Sequence, residues 1–393
     1  MIIIVRLKEV KKINLCIISH FGYPLYNKKC IETDIGGGAG VQLYLLSKEF
    51  AKNPTIDVNV ITGNHKTHKN KIELYQNIKI FKVLPLKRTF FNVLKFIIRF
   101  FLKLIQIKPD IVIQRTASPV TGLCAFYCKL FRKKFIYSIS NKPEVNGKAE
   151  NGVLGKFYKY GLNNASIIIA QNKDQIYELE KFKKRKIRNI ILIKSGYNIK
   201  NKDYIEKKNI LWVSRAIEWK RAEIFLKLAQ KMPDKDFIII CNKTNNEIYW
   251  KTISDNAFKI HNLKFLNFIP FYKIDRYFQE AKIYINTSIY EGFPNTFIQA
   301  FMNKTPVISL NVNPDEILTK NKIGIFCHDD LKKMESSINQ LFENQELYDS
   351  YSKNAFTYVK NNHDIKIISK KWFGLFEKMF ANPSEARAVN FQF

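Results

Sequence analysis

Short apolar runs alternate with longer segments of helical periodicity along almost the whole chain, and this alternation constrains the fold more than any other feature. Parallel strands that are covered on both faces appear in a sequence as short apolar runs. A helical crossover connects each strand to the next parallel strand. The first predicted series of strands is 14–19, 57–62, 78–83, 111–114, 134–139, 166–170 and 189–193. The second is 209–213, 236–241, 264–267, 283–286, 306–309 and 324–327. The sequence therefore predicts an α/β protein with two Rossmann-like domains.

The pattern breaks near the middle of the chain, where the polar stretch 195–203 predicts an inter-domain linker. We expect an N-terminal domain over 1–198 and a C-terminal domain over 207–363. The amphipathic segment 364–380, which includes Trp372, predicts a final helix whose apolar side packs against another part of the protein. Residues 381–393 contain no Lys, unlike the preceding chain, and are interpreted as a floppy tail or a cloning remnant.

The charge balance points to a phosphate-rich partner. The 393 residues include 65 Lys plus Arg against 34 Asp plus Glu, which gives a net charge of +31. Nucleic acid, anionic lipid and a diphosphate ligand all fit this excess. No motif that enters a nucleic-acid groove accompanies the charge, so specific nucleic-acid binding is not expected.

The cysteines and the N-terminus indicate a cytoplasmic protein. The six cysteines form no C-x-x-C pair or metal-spaced set, and we predict free core thiols: Cys16, Cys30, Cys124, Cys128, Cys241 and Cys327. The N-terminus is apolar for only five residues before Arg6, so we predict neither a secretion signal nor a membrane span there.

A glycine-rich loop lies between the first predicted strand and a helical run over 41–50. It contains Gly36, Gly37, Gly38 and Gly40. Glycines at a helix N-terminus let a phosphate or a sugar hydroxyl approach exposed backbone N–H groups. A flexible turn would have the same composition, so the loop alone leaves both interpretations open.

Charged residues follow two strands of the second series. Arg215 and Lys220 come after the strand at 209–213, and Glu291 follows the strand at 283–286. Ligands of open parallel sheets bind beyond the carboxyl ends of strands, where two cations would hold a diphosphate. A carboxylate in the turn at Glu291 can accept hydrogen bonds from sugar hydroxyls. A surface turn with Asn295 as a helix cap is the alternative interpretation of that turn.

Taken together, these elements resemble the retaining family 4 glycosyltransferases of the GT-B fold, over nearly the whole chain. The matching elements are the glycine loop at 36–40, the Ser214-Arg215-x4-Lys220 sequence, the Glu291-Gly-Phe-Pro294 turn and Pro306-Val-Ile308. The resemblance implies two parallel sheets facing a central cleft, and a C-terminal helix that crosses back to the N-terminal domain.

The resemblance also implies roles for individual residues. Arg215 and Lys220 would hold the donor diphosphate, Glu291 the donor sugar, and the glycine loop the acceptor. Further donor contacts are expected from Gly292, Phe293, Pro294, Asn295, Thr296 and Gln299. Two positions depart from the family: Gln299 stands where a second Glu is usual, and Ser140 or Asn141 stands where a His is common.

The resemblance implies a reaction without a metal or cofactor, in which a sugar leaves a nucleotide diphosphate, UDP being favoured. Metal-dependent glycosyl transfer uses an Asp-x-Asp pair after a strand, whereas Asp234 and Asp236 precede one. Sugar epimerases and phosphorylases share the fold and remain alternatives. A basic nucleic-acid-binding protein is the alternative that is not an enzyme.

The segment 86–108 suggests where the protein meets a membrane. Lys95, Arg99 and Lys103 recur at i, i+4 and i+8 among large apolar residues, which is typical of a helix lying on an anionic surface. Three charges argue against a membrane span. We therefore expect a protein at the inner face of the cell membrane, acting on a lipid-linked or glycan acceptor. An ordinary half-exposed amphipathic helix is the alternative.

Overall fold

The computed structural model describes residues 12–27, 30, 37–63, 72–84, 90–203, 205–244 and 246–380, with side chains of the helix at 90–107 described from residue 94 onward. Gly36, the N-terminus over 1–11 and the segment 381–393 lie outside the described residues.

The first sheet and its helices occupy the first half of the chain. In order they are β1 (Ile13–Ser19), α1 (Tyr23–Tyr26), α2 (Gly37–Phe50), β2 (Ile56–Gly63), β3 (Glu73–Tyr75), β4 (Ile78–Leu84), α3 (Phe90–Ile107), β5 (Ile111–Arg115), α4 (Pro119–Leu130), β6 (Lys134–Ser138), α5 (Gly152–Asn163), β7 (Ile167–Ala170), α6 (Lys173–Lys183) and β8 (Ile190–Leu192). The strand order across the sheet is β3-β4-β2-β1-β5-β6-β7-β8. β3 pairs antiparallel to β4, and the pairs from β4 through β7 are parallel.

The second sheet is built from the second half. Its elements are β9 (Asn209–Arg215), α7 (Ala222–Lys231), β10 (Phe237–Asn242), α8 (Glu247–Ala257), β11 (Leu263–Leu266), α9 (Asp275–Glu280), β12 (Ala281–Asn286), α10 (Asn295–Phe301), β13 (Val307–Ser309), α11 (Ile317–Lys320), β14 (Gly324–Phe326), α12 (Leu331–Glu343), α13 (Gln345–His363) and α14 (Ile365–Phe380). The order is β11-β10-β9-β12-β13-β14, and every pair is parallel.

The two parallel sheets confirm the predicted α/β class. Every strand of both predicted series is present, with ends that differ by no more than two residues. Most strands carry buried apolar side chains, such as Trp212 in β9 and Phe237 in β10, because helices cover both faces of a parallel sheet. The sequence analysis missed β3, whose three residues are exposed or half-buried at the sheet edge.

Both sheets have the same topology around their first strand. Counting along the chain, the order within the second sheet is 3-2-1-4-5-6, and β4-β2-β1-β5-β6-β7 repeats it in the first. The order reverses on either side of β1 and of β9. In such sheets the reversal opens a ligand site beyond the carboxyl ends of the two diverging strands.

The contacts divide the chain into two compact units, and neither unit is continuous in sequence. The first comprises Met1–Ile139, Gly147–Ile169 and Ile187–Ile191; the second comprises Ser140–Asn146, Ala170–Lys186 and Leu192–Phe393. One domain over 1–198 was predicted, whereas the contacts group residues 140–146, 170–186 and 192–198 of that range with the second unit. The packing of α14 on the N-terminal domain stays a prediction.

The start of the stretch at 195–203, predicted to be a linker, is packed inside the second unit. Ser195 and Tyr197 are buried, and Tyr197 forms a parallel bridge with Asp364 at the start of α14. A Cβ at Gly196 would lie 2.6 Å from Ile365 Cδ1, so α14 contacts the chain here. Trp372 is buried, as its place on an apolar helix side predicted.

Most of the cysteines are core residues, as predicted. Cys16, Cys124, Cys128, Cys241 and Cys327 are buried, Cys30 is half-buried, and all six are free thiols. Burial raises the pKa of the Cys128 thiol to about 12.

Candidate functional site

The charged residues predicted from sequence lie at the switch point of the second sheet, which is the edge beyond the carboxyl ends of β9 and β12 where the strand order reverses. Arg215 is the last residue of β9 and is exposed, and Lys220 ends a single 3₁₀ turn that follows it. Glu291 lies in the loop after β12, the neighbour of β9 in the sheet. Because neighbouring parallel strands end at the same edge, residues 71 apart in sequence become neighbours in space.

Lys220 and Glu291 form an ion pair. Lys220 Nζ donates to Glu291 Oε1, and both side chains are largely buried, with 15% and 17% of their surface exposed. Ser288 Oγ donates to the same carboxylate oxygen at 2.8 Å. Lys220 was expected to bind the diphosphate and Glu291 the sugar, whereas the structure joins the two residues to each other.

Hydrogen bonds fix the loop after β9 to the loop after β12. Thr287 Oγ1 donates to the carbonyl of Lys220 at 2.6 Å, and the backbone N–H of Ile289 donates to the carbonyl of Trp219 at 2.9 Å. Trp212 Nε1, within β9, donates to Thr287 Oγ1 at 2.9 Å. The Lys220–Glu291 pair therefore stands on a cross-linked backbone, which preorganises both side chains.

Arg221 is a third cation in these loops, and the sequence analysis did not single it out. Its Nε donates to the carbonyl of Thr287 at 2.6 Å, and its Nη1 pairs with Asp329 Oδ1 at 2.7 Å. Its φ of +51° is a left-handed conformation that places the residue at the start of α7. Arg221 thus links three loops of this edge. Arg215 makes no ion pair with any other described residue.

The turn after Glu291 is packed tightly against another part of the second unit. A Cβ at Gly292 would lie 2.1 Å from the carbonyl oxygen of Ser140, so this position requires glycine. Asn172 Nδ2 donates to the carbonyl of Gly292 at 3.0 Å. Ser140, one of the two residues that could occupy the family's usual His position, is bonded through its backbone N–H to Glu144 Oε2 at 2.9 Å.

Phe293 and Pro294 are buried, and the ring of Phe293 lies 4.7 Å from the ring of His363. His363 Nδ1 donates to the carbonyl of Ser195 at 2.7 Å. Burial lowers the pKa of His363 to about 3, so the imidazole is neutral at physiological pH. On this side, the groups that contact the turn are apolar or neutral.

The remaining predicted donor residues lie on α10. Asn295 is its first residue, and the cap position is Pro294, so the interpretation of Asn295 as the helix cap is wrong. Thr296 is half-buried and bonds to buried Tyr284, whose pKa burial raises above its ordinary value. Gln299 is 7% exposed, and its backbone carbonyl accepts from Asn303.

At the first sheet, the glycine loop leads into α2 after β1. Gly37 begins the helix with a φ of +55°, which favours glycine, and Gly38 is exposed beside it. Lys95 and Arg99 are exposed on α3 and Lys103 is half-buried. Among the helices within the described residues, none combines the length and apolar character needed to cross a bilayer.

The described residues contain no group of three His, Cys, Asp or Glu side chains that could hold a metal ion. Asp234 and Asp236 precede β10, as expected, and Asp234 pairs with Lys235.

Two family models match the chain in sequence. One, glycosyl transferases group 1, covers residues 197–358, and a second, described as glycosyl transferase 4-like, covers residues 43–172. The two matches fall on the two sheets, in the order that the motifs predicted. The chain belongs to the group 1 glycosyltransferases of the GT-B fold.

Known relatives of this glycosyltransferase chain are distant. It is 24% identical over 242 residues to a poly(ribitol-phosphate) alpha-N-acetylglucosaminyltransferase of Staphylococcus aureus, over 58% of this chain and 48% of that one. The chain thus spans about half the length of this relative. An uncharacterized glycosyltransferase of Methanocaldococcus jannaschii is 24% identical over 377 residues, covering 87% of this chain and 95% of its own.

Solved structures share the GT-B fold at low identity. A sucrose-phosphate synthase from Thermosynechococcus elongatus superposes with a TM-score of 0.79 at 15% identity, over 94% of this chain and 99% of that one. Anabaena HepE, in complex with UDP and glucose, superposes with a TM-score of 0.71 at 14% identity, over 92% and 99%.

The interactions that sequence analysis missed had only weak signals. Arg221 directly follows Lys220 in a chain rich in basic residues, so its charge alone does not indicate a role in the site. Asn172 follows a predicted strand, but nothing in the sequence indicates that its amide reaches a turn 120 residues away.

Proposed function

We propose that this glycosyltransferase moves a sugar from a nucleotide diphosphate donor, a UDP-sugar being favoured, to a membrane-associated acceptor with retention of the anomeric configuration. The lipid-linked or glycan acceptor would serve bacterial-type surface polysaccharide or glycolipid synthesis at the inner face of the cell membrane. The observation that carries the proposal is the meeting of Arg215, Lys220 and Glu291 at the switch point of the second sheet.

Charge stabilisation is the main task assigned to these residues. The departing nucleoside diphosphate gains negative charge as the bond to the sugar breaks, and preorganised cations lower the energy of that state. Exposed Arg215 supplies a planar guanidinium that can bind two phosphate oxygens at once. Lys220 supplies a compact charge, fixed by the hydrogen bonds of its loop.

The ion pair gives Glu291 and Lys220 a coupled role. Glu291 neutralises Lys220 through their ion pair. When a diphosphate approaches, Lys220 exchanges one anionic partner for another, and the freed carboxylate oxygen can accept hydrogen bonds from sugar hydroxyls. The support for this proposal is the position of both groups at one edge, with Gly292 backbone beside them.

We propose that these cations, rather than a bound metal, meet the charge of the leaving group, and that attack occurs on the front face with the phosphate accepting the acceptor proton. No general base of the chain is then required. EDTA should leave the turnover rate unchanged, and loss of activity that Mg²⁺ or Mn²⁺ restores would contradict the proposal.

Titration with UDP, GDP and ADP tests the donor class. The correct nucleotide should raise the melting temperature, because a ligand that binds only the folded state stabilises it. The shift should disappear in Arg215→Ala and persist in Arg276→Ala, whose exposed guanidinium lies on α9 and pairs with Glu280.

Product analysis separates transfer from the alternatives. Incubation of the matching nucleotide-sugar with membrane extract should yield a glycosylated acceptor with the donor's anomeric configuration. Conversion of the donor to its epimer without any acceptor would identify an epimerase. Absence of nucleotide binding together with tight, salt-resistant binding to DNA would instead support the nucleic-acid alternative.

A further inference from the structure

An unusual concentration of exposed apolar side chains lies on three neighbouring helices of the first unit, α3, α4 and α5. Among the described residues, 20 large hydrophobic side chains are exposed. Ten of these lie on the three helices or on the residue that ends α4: Leu94, Ile98, Leu102, Ile105, Phe126, Leu130, Phe131, Val153, Leu154 and Phe157. Single exposed apolar residues are ordinary, whereas a contiguous set marks an interaction site.

On α3 the exposed apolar residues form one continuous strip. Leu94, Ile98, Leu102 and Ile105 recur at intervals of three and four and therefore lie on one side of the helix. Phe100 and Leu104, both fully buried, face the protein core. Lys95, Arg99 and Lys103 occupy the next strip around the helix. This helix therefore presents both apolar and cationic groups to solvent, where the sequence analysis emphasised only the cations.

A cavity of about 420 Å³ lies between the three helices. This volume falls within the range of small-molecule sites, roughly 300 to 1,000 Å³. Apolar side chains line most of it, namely Ile97, Phe101, Leu123, Phe126, Phe157 and Tyr160, and Lys156 lies at its edge.

The backbones of α4 and α5 touch behind the cavity. A Cβ at Gly122 would lie 2.6 Å from the carbonyl oxygen of Phe157, and one at Gly161 would lie 2.5 Å from that of Thr121. This close approach fixes the two helices relative to each other, so the cavity wall is a rigid feature of the fold.

The charge on these helices has one sign. α3, α4 and α5 contain six Lys or Arg residues, namely Lys95, Arg99, Lys103, Lys129, Lys156 and Lys159, and no Asp or Glu. Lys159 pairs with Glu150 at 3.6 Å, outside α5. A partner complementary to this surface combines anionic groups with long apolar groups. Self-association of two such faces would oppose six cations with six, which disfavours a second copy of the chain.

We propose that the α3–α5 face docks on an anionic bilayer, with its apolar side chains below the headgroups and one lipid acyl chain in the 420 Å³ cavity. Lipid phosphates lie beside the α3 cations Lys95, Arg99 and Lys103. This inference deepens the proposed function, since it assigns the surface and depth of membrane contact, and it stands on geometry independent of the donor site.

Binding of the full-length protein to vesicles tests the charge component. Sedimentation with phosphatidylglycerol vesicles should show binding that phosphatidylcholine vesicles do not reproduce. The combined Lys95→Gln, Arg99→Gln and Lys103→Gln variant should bind roughly a hundredfold more weakly, at about fivefold per cation. Its matched control replaces Lys227, Lys251 and Lys259, exposed on or just after helices of the second unit, with Gln and should bind like wild type.

A second variant tests insertion without a change of charge. Ile98→Asn with Leu102→Asn should weaken binding tenfold or more for each residue, because each buried aliphatic side chain contributes on that order. Both residues are exposed, so folding should be unaffected. Ile248→Asn, at an 83% exposed position on α8, is the control and should leave binding unchanged.

Depth and cavity occupancy are measured with brominated lipids. Phe126→Trp should be quenched by phosphatidylglycerol brominated in its acyl chains, and Leu123→Trp, which fills the cavity, should weaken vesicle binding while melting like wild type.

Absence of vesicle binding, unchanged binding in the Asn variant, or no quenching by acyl-chain bromines would overturn the inference. Wild type that sediments as a dimer, dissociated by the Asn variant, would overturn it in favour of self-association. Vesicle binding without transfer to any acceptor of the membrane extract would reject the proposed function alone, and transfer without vesicle binding would reject this inference alone.

Discussion

The switch points of the two sheets have the same strand order and opposite chemistry. After β1 the chain offers the backbone of a glycine loop, with Gly37 in a left-handed conformation. After β9 and β12 it offers charged side chains, with Lys220 paired to Glu291. Topology thus places the ends of two diverging strands at the same point in each sheet, while the loops decide what could bind there.

The difference also extends to how each site is held in place. The charged site depends on hydrogen bonds between two loops and on the close contact of Gly292 with Ser140. At the first switch point, Gly37 begins α2 in a left-handed backbone conformation. Substitutions should therefore have larger effects at the second switch point than at the first, and the following predictions test that ranking.

The largest effect is expected from the cations. Arg215→Ala and Lys220→Ala should each lower turnover by about 10² or more, since each removes charge stabilisation from the leaving diphosphate. Glu291→Gln should also be severely damaging. Steady-state kinetics with Arg276→Ala as the control measures this, and near-normal rates in both cation variants would reject the active-site assignment.

Gly292→Ala should lower the free energy of unfolding by about 2 to 3 kcal/mol, because the new methyl group would overlap the Ser140 carbonyl and the backbone must move. Urea denaturation measures the loss. Gly374→Ala, in α14 with no atom within 4 Å of the added Cβ, should be neutral or stabilising. Equal stability of the two variants would mean that the turn after Glu291 is not tightly packed.

Acid should destabilise the second unit through His363. Its pKa is about 3 in the folded state and 6.5 when unfolded, so the unfolded chain binds more protons between these values and stability falls as pH drops through that window. Between pH 7 and 5 the loss should be about 2 kcal/mol. Urea midpoints of wild type and His363→Gln at both pH values measure it; the same pH dependence in both would exclude His363 as the cause.

Gln299→Ala should weaken donor binding by roughly 1 to 2 kcal/mol, the contribution of one or two hydrogen bonds to the nucleotide ribose. Gln299→Glu should bind similarly or more tightly, since a carboxylate can accept from both hydroxyls. Titration calorimetry measures the affinity of each variant for the donor. An Ala variant that binds every candidate donor like wild type would show that Gln299 is not at the ribose.

The smallest effect is expected at the first switch point. Gly37→Ala should cost about 1 kcal/mol of stability, the strain of a left-handed conformation in a residue with a Cβ. Gly40→Ala, where an added Cβ meets nothing within 4 Å, is the matched control in the same helix. If Gly37→Ala harmed stability more than Gly292→Ala, the proposed ranking of the two regions would be reversed.

The sequence predicted what depends on local pattern. Buried parallel strands are short apolar runs, so each such strand was found, and strand ends located Arg215, Lys220 and Glu291 at one edge. β3 was not predicted because a three-residue edge strand has no buried apolar run and is too short to show an alternating pattern.

What the sequence could not predict depends on distant partners. Lys220 and Glu291 are 71 residues apart, and no sequence pattern indicates that they form an ion pair. Several other carboxylates could equally have paired with Lys220. On α3, Leu94 and Ile98 resemble core residues in the sequence, because exposure is decided by which neighbouring helices cover the strip.

The discontinuity of the second unit affects the order in which the chain can fold during synthesis. The first backbone N–H groups of α6, at Lys173 and Asp174, donate to the carboxylate of Asp315 at 3.0 Å, some 140 residues later. The side chain of Asn172, the N-cap residue of α6, likewise donates to the carbonyl of Gly292, 120 residues later. A ribosome must therefore release much of the second half before α6 gains these partners, and a chain cut at residue 198 would leave α6 without them. The two halves are consequently poor candidates for separate expression, even though each contains all the strands of one sheet.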